Sequence, residues 1–131
     1  MEVAARLSNA GKEYKTGDTV VIALQPTSIT FNTGEVTLIV GPSGSGKTTL
    51  LSLLGCVIYP TEGKVWVGDT CVNELSETEL ANLRLTRIGF VFQGFNLLSP
   101  LNVLENVMHP LLLQGIHLPS RYAIHLGKKL P

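Results

Sequence analysis

Gly41-Pro42-Ser43-Gly44-Ser45-Gly46-Lys47-Thr48 is the stretch that decides how this chain is read. It satisfies G-x-x-x-x-G-K-[ST], a glycine loop whose main-chain amides cradle phosphate oxygens. Its flanks agree with that reading. Before it, Glu35-Val36-Thr37-Leu38-Ile39-Val40 predicts a buried strand; after it, Thr49-Leu50-Leu51-Ser52-Leu53-Leu54 predicts the start of a helix. Strand, glycine loop and helix is the context in which this motif carries chemistry.

The spacing has a physical purpose. The backbone must bend so that several N–H groups point inward, and Gly44 and Gly46, lacking Cβ, can take positive φ and approach the oxygens closely. A helix opening near Gly46 adds unpaired amides and the positive end of its dipole. Lys47 is placed to reach the β- and γ-phosphates as a point charge, and Thr48 to offer its hydroxyl to Mg²⁺. The competing reading, a glycine-rich turn with a surface lysine, is disfavoured by the flanking pattern. Nucleotide binding is the expectation.

At 131 residues the chain has the size of one ordinary domain. Ten acidic residues balance ten basic ones, which suggests neither a nucleic-acid surface nor a polybasic membrane patch. No apolar run reaches the length of a membrane span, and Met1-Glu2-Val3-Ala4-Ala5-Arg6 lacks the features of a signal peptide. Cys56 and Cys71 stand apart without C-x-x-C spacing and are expected to be reduced and structural. A cytoplasmic location follows.

Around the loop the pattern is mixed α/β. Val20, Val21, Ile22, Ile29 and Phe31 predict strands between Thr19 and Phe31, and Asn32-Thr33-Gly34 predicts a turn. Leu50, Leu51, Leu54 and Val57 share a helical spacing that Pro60 should end. Gly63-Lys64-Val65-Trp66-Val67 and Thr70-Cys71-Val72, joined by Gly68-Asp69, predict a hairpin. Ser76-Glu77-Thr78-Glu79 matches a capping box, with Leu75 able to staple onto Leu80, so a helix should run from about Glu77 to Leu85. Ile88-Gly89-Phe90-Val91-Phe92-Gln93 predicts a second buried strand. Val103, Val107 and Leu111 share a helical face, with Pro110 kinking or ending that helix.

These pieces together resemble the ATP-binding subunit of an ABC transporter. The resemblance is carried by the glycine loop with Thr49, Leu50 and Leu51, by residues 88–93, and by Phe95-Asn96-Leu97-Leu98 followed by Val103-Leu104-Glu105-Asn106-Val107. It covers roughly Glu13 to Gly115 and is strongest to the branch that powers lipoprotein release and macrolide export. It implies an α/β P-loop NTPase fold: an ABC-type ATPase core with an N-terminal antiparallel β-subdomain, reaching neither the signature motif nor the Walker B strand. Residues 1–116 would be the N-terminal part of the ATP-binding domain and residues 117–131 a divergent tail.

The resemblance also implies roles. ATP and Mg²⁺ would be held by Gly41, Pro42, Ser43, Gly44, Ser45, Gly46, Lys47, Thr48 and Thr49, with Thr48 and Gln93 on the metal and Lys47 and Gln93 serving catalysis. Tyr14 would stack on the adenine ring; the other reading is an ordinary surface tyrosine near a Lys-Thr-Gly turn. Gln93 would be the Q-loop glutamine that senses the γ-phosphate, or else a polar residue that merely ends a strand. Residues 94–107 would meet the coupling helix of a membrane-embedded permease. Phe95, Leu97 and Leu98 suit either that docking surface or the core of a small helical subdomain. In the family two ATP-binding domains pair head to tail, peripheral at the inner face of the plasma membrane.

Other residues have plainer readings. Asp69 belongs to a hairpin turn rather than to a metal site, and Glu105 to the start of a helix after Asn102. His109, His117 and His125 are eight apart, a spacing that does not gather them for a metal. Trp66 is expected to pack locally. Residues 121–126 allow a short amphipathic helix weakened by Gly127.

The family completes its site with parts that this sequence does not contain. It has no Leu-Ser-Gly-Gly-Gln signature, no apolar run into Asp-Glu, and no switch histidine that can be placed. A truncated or frameshifted gene is one origin to consider. ATP binding without useful turnover, and marginal stability with uncovered sheet edges, are the expectations for the chain alone. The alternatives are a non-catalytic remnant of such a subunit and a soluble P-loop kinase. The kinase lacks support, since only Arg84 and Arg87 fall where lid arginines would be needed. An ABC-type ATPase acting on DNA or in translation finds no support in the neutral charge.

Overall fold

The computed structural model describes residues 2–116. The chain divides into two compact units, Met1–Ala81 and Asn82–Pro131, each described by itself.

The first unit is built on a four-stranded antiparallel sheet in the order β2-β1-β3-β4. Strands β1, Val3–Thr16, and β2, Thr19–Asn32, form a long hairpin closed by the two-residue turn Gly17-Asp18. Nothing in the residue pattern announces β1. Its inward positions, Leu7 and Ala10, are separated by polar Ser8 and Asn9, and its register against β2 shifts between Leu7 and Ala10 and again on both sides of Lys12. Bulges of this kind break the period of two by which strands are recognised. The predicted strands from Thr19 onward are one continuous strand, β2.

Helix α1, Lys47–Leu54, packs on β1, β2 and β3 and buries Leu50 and Leu53 against them. With Leu7, Ala10, Cys56, Val65, Cys71, Val72 and Leu80 these residues make the core. The expected face was Leu50, Leu51, Leu54 and Val57; instead Leu51 and Val57 are exposed. Nor does the helix reach Pro60. Gly55 is its C-cap and Cys56 takes φ 55°, a left-handed conformation that no α-helix continues through. The amides of Val57 and Ile58 then turn back to donate to the Ser52 carbonyl, at 2.9 and 3.4 Å. Both cysteines are buried and neither is in a disulfide.

The predicted hairpin is present as β3, Glu62–Val67, and β4, Thr70–Cys71, with Gly68-Asp69 at its tip. Strand β4 is short because a 3₁₀ turn, Val72–Glu74, follows at once. The Asn73 side chain takes over along β3: its Oδ1 accepts from Val65 N at 3.0 Å and its Nδ2 donates to the Gly63 carbonyl at 3.2 Å. Trp66 packs locally as expected, with the Arg6 guanidinium 5.0 Å above its ring. Helix α2, Glu77–Arg87, opens with the predicted capping box. Ser76 N donates to Glu79 Oε2 at 2.8 Å and Glu79 N donates to Ser76 Oγ at 3.4 Å. Acids in its first turn and Arg84 and Arg87 in its last suit the helix dipole.

Two predicted strands do not form. Residues 35–40 belong to no ladder, and Val36, Leu38 and Val40 are 101%, 83% and 76% exposed. Residues 88–93, in the second unit, are likewise outside any strand, and Val91 is 98% exposed. An apolar run of this kind is the signature of a parallel strand covered on both faces. A strand exists only by hydrogen bonding to a neighbour, and among the described residues neither run has one. Local order remains: Phe90 and Phe92, two apart, stack with centroids 5.1 Å from each other.

The second unit ends its described part in helix α3, Val103–Leu113. Asn102 and Glu105 form a full capping box, so Glu105 is a cap partner as predicted. Pro110 lies inside the helix and does not end it. The half-buried apolar positions are Leu104, Met108 and Leu111, whereas Val103 and Val107 are exposed, so the inward face is rotated from the predicted one. Gln114 Nε2 donates to the Leu85 carbonyl at 2.7 Å and ties the end of α3 to α2. His117, His125 and the amphipathic stretch 121–126 lie outside the described residues.

Two outcomes follow. Leu53→Ala should destabilise the chain by about 2–5 kcal/mol, because its side chain is fully enclosed and leaves a cavity; a denaturant titration measures this. The two hydrogen bonds from Ser76, side chain first and backbone second, hold the Glu79 carboxyl below the ordinary glutamate value. A lowered folded-state value means that the cap's contribution is complete above the unfolded-state value and is lost as pH falls through the folded one. An NMR titration should give Glu79 a depressed midpoint that Ser76→Ala moves back up.

Candidate functional site

The glycine loop lies in the first unit, on the β2 side of the sheet. Ser45 N donates to the Pro42 carbonyl at 3.3 Å, closing a turn at whose far side Gly44 takes φ 79°. Gly46 follows at φ 91° and is the N-cap residue of α1. A Cβ on Gly46 would stand 2.8 Å from the Ala23 carbonyl oxygen and 3.1 Å from Leu24 Cδ1. The loop therefore rests directly on the β2 main chain, and only glycine meets both the angle and the approach. Leu50 N donates to the Gly46 carbonyl at 2.8 Å to begin the helix, yet no side chain caps the helix start. Its first amides face the loop as donors for an anion.

Lys47 folds back over the loop. Its Nζ donates to the carbonyls of Gly41 and Pro42, both at 2.7 Å, and lies 3.5 Å from Ser45 Oγ. A positive charge thus sits inside a ring of main chain. Beside it is a cavity of about 360 Å³ lined by Ser43, Gly44, Gly46, Lys47, Thr48 and Thr49 on one side and Val21, Ile22 and Ala23 on the other. Thr48 is exposed to this space. The wall supplied by β2 went unrecognised in the sequence, where Val20 to Ile22 carry only a strand signal; which strand faces the loop depends on the packing of α1.

Tyr14 stands on β1 opposite Val21, itself a cavity residue, and is 45% exposed with the Lys12 ammonium 5.1 Å from its ring centroid. The structure thus brings the loop residues and the Tyr14 strand together in one unit. Gln93 belongs to the second unit, where it is exposed in a bend beside Gly94. It ends no strand, which removes the plainer reading of it in its expected form. Phe95, Leu97 and Leu98 are exposed rather than core. With Phe90, Val91 and Val107 they surround an apolar hollow of about 890 Å³ within the second unit. Asn106 holds one rim of it: its Oδ1 accepts from Leu98 N at 2.8 Å, while its Nδ2 donates to the Leu101 and Asn102 carbonyls at 3.0 Å each. Among the described residues no group of three or more His, Cys, Asp or Glu could hold a metal ion, and no helix is long and apolar enough to cross a membrane.

Comparison with known proteins agrees with this geometry. The family model described as ABC transporter matches residues 24–129. An uncharacterised ABC transporter ATP-binding protein of Methanocaldococcus jannaschii is 45% identical over 107 residues, 82% of this chain and 46% of that protein. The macrolide export ATP-binding/permease protein MacB of Hyphomonas neptunium is 44% identical over 115 residues, 88% of this chain and 18% of its own length. The lipoprotein-releasing system ATP-binding protein LolD of Granulibacter bethesdensis is 38% identical over 112 residues, 86% of this chain and 49% of its own. A dimeric ATP-binding cassette solved in a post-hydrolysis state with ADP and Pi superposes with a TM-score of 0.84 at 40% identity, covering 91% of this chain and 52% of that one. The chain spans about half the length of the ATP-binding proteins it matches, and less of the joined ATP-binding/permease protein. With the family model covering well over half of its residues, the chain belongs to the ABC transporter family.

Proposed function

We propose that this chain is the nucleotide-binding portion of an ABC transporter's ATP-binding subunit, probing and holding Mg·ATP through the loop of residues 41–49 for an exporter. Residues 1–116 would correspond to the N-terminal part of the ATP-binding domain, with residues 117–131 as a divergent tail. One observation carries the reading: Tyr14 lies opposite Val21, and Val21 lines the same cavity as Ser43, Gly44, Gly46, Lys47, Thr48 and Thr49. A base on the ring and a phosphate tail in the loop need only one continuous stretch of surface. Stacking on an aromatic face contributes about 1–3 kcal/mol per base in nucleic-acid complexes.

The residues fit a triphosphate. Gly41, Pro42, Ser43, Gly44, Ser45 and Gly46 supply the curved main chain, and the uncapped start of α1 supplies amide donors. Lys47 can exchange its two carbonyl partners for phosphate oxygens with a small movement of one flexible side chain. The Thr48 hydroxyl, open to the cavity, would hold Mg²⁺, a hard cation that prefers oxygen donors. Bound there, the metal would neutralise charge on the β- and γ-phosphate oxygens. ATP hydrolysis belongs to the family's whole domain; in this chain the loop residues would bind the nucleotide, with Lys47 reaching its β- and γ-phosphates as a point charge.

The same reading supplies partners. The names of the macrolide exporter and the lipoprotein-releasing protein, together with the exposed Phe95, Leu97 and Leu98, support a membrane-embedded permease as the partner of the second unit. The dimeric cassette supports pairing of two ATP-binding domains. A peripheral position at the inner face of the plasma membrane follows from such a permease.

Titration calorimetry with Mg·ATP should give saturable binding, and Lys47→Ala should weaken it at least about tenfold, as loss of a charged hydrogen-bonding partner commonly does. Gly46→Ala should abolish binding, since its Cβ would push the loop off the Ala23 carbonyl. Undiminished affinity in Lys47→Ala would mean that ATP sits elsewhere.

A further inference from the structure

Beyond the loop itself, we infer that Lys12 is a positioning residue for the Tyr14 ring, and that Lys12 and Thr61 together tie that ring to the segment leaving the phosphate-loop helix. The inference rests on the base-stacking reading of Tyr14 and extends it. Its starting point is an irregularity: the β1–β2 register shifts on both sides of Lys12, so β2 alone does not set the path of the chain into Tyr14.

A different element sets it. Thr61 N donates to the Gly11 carbonyl at 2.8 Å, Glu13 N donates to Thr61 Oγ1 at 3.0 Å, and Thr61 Oγ1 in turn lies 3.3 Å from the Glu13 carbonyl that accepts from it. Lys12 Nζ donates to the Tyr59 carbonyl at 2.8 Å. The bulge is thus gripped over three consecutive residues by residues 59–61, which follow α1 by only a few positions. From that anchor the Lys12 ammonium lies 5.1 Å from the Tyr14 centroid, within cation–π range.

The geometry has two consequences for binding. A side chain that is 45% exposed would ordinarily sample several rotamers, and ordering it on a base costs entropy. An ammonium held at one end by a carbonyl and resting against the ring restricts those rotamers before the base arrives. It also occupies one side of the ring, so a base would stack on the other. Because the anchor follows α1, the ring and the loop at the start of α1 are referred to the same short piece of chain. Lys12 is engaged by the Tyr59 carbonyl and the Tyr14 ring and acts through Tyr14.

Two ligands separate this role from a structural one. Inorganic tripolyphosphate engages the loop alone, whereas Mg·ATP engages the loop and the ring. In the full chain, Lys12→Met should weaken Mg·ATP about two- to fivefold, the scale of an exposed cation–π contact, and leave tripolyphosphate affinity unchanged. Lys12→Arg should restore most of the loss, and Thr61→Val, which keeps the shape but removes the hydroxyl, should repeat it in the same ligand-selective way. Equal weakening of both ligands by Lys12→Met would overturn the inference in favour of a general structural effect. Tyr14→Ala provides the other control. If it weakens ATP while Lys12→Met does not, the positioning role fails and base stacking stands; if Tyr14→Ala changes nothing, the stacking reading falls and this inference with it.

Discussion

The contact between Gly46 and the carbonyl of Ala23 is the constraint on which the rest of the site depends. A loop that offers its amides to an anion cannot also satisfy them internally, so something else must fix its shape. Here the backbone of one element is laid on the backbone of another, at a distance where a Cβ would stand 2.8 Å from a carbonyl oxygen. That approach brings β2 to the loop, makes Val21, Ile22 and Ala23 the opposite wall of the cavity, and starts α1 at the angle that sends Leu50 and Leu53 into the core. Candidate site and core are therefore coupled through one residue that has no side chain.

How much of this could be read from the sequence divides along a physical line. Features determined within a few residues were legible: the turn of the glycine loop, both capping boxes at Ser76/Glu79 and Asn102/Glu105, and the Gly68-Asp69 hairpin. Each is a short-range exchange of hydrogen bonds or a required backbone angle, and its residues carry the information themselves. Features that need a distant partner were not. Residues 35–40 and 88–93 have the composition of buried parallel strands but lack neighbours among the described residues, and composition cannot supply a hydrogen bond. Strand β1 failed in the opposite direction: its bulges hide the alternation, while its pairing to β2 and β3 makes it the centre of the sheet. The helical faces were only partly legible: α1 buries Leu53 while Leu51 and Val57 are exposed, and the half-buried apolar row of α3 runs through Leu104, Met108 and Leu111.

The candidate site shows the same division. The residues that would touch phosphate were visible as a motif, since their spacing is their mechanism. The residues that arrange them were not. Val21, Ile22 and Ala23 read only as strand, and Tyr59 and Thr61 carried no reading of their own, yet these residues help fix where the Tyr14 ring and the loop amides stand. Support of this kind comes from pairing and packing across tens of residues, so no window on the sequence contains it.

The two ends of the loop are held unequally, which gives Lys47 a second task. Its C-terminal end is fixed by Gly46 on Ala23 and by the burial of α1. Its N-terminal end is fed by residues 35–40, which have no ladder and are largely exposed. What restrains that end is the Lys47 ammonium, bonded to the carbonyls of Gly41 and Pro42. The cation that would attract a phosphate is thus also the clasp that keeps the loop curved without one. An arriving anion must compete with those two carbonyls, so the affinity of the site is a difference between two sets of charge-assisted hydrogen bonds rather than the sum of the new ones.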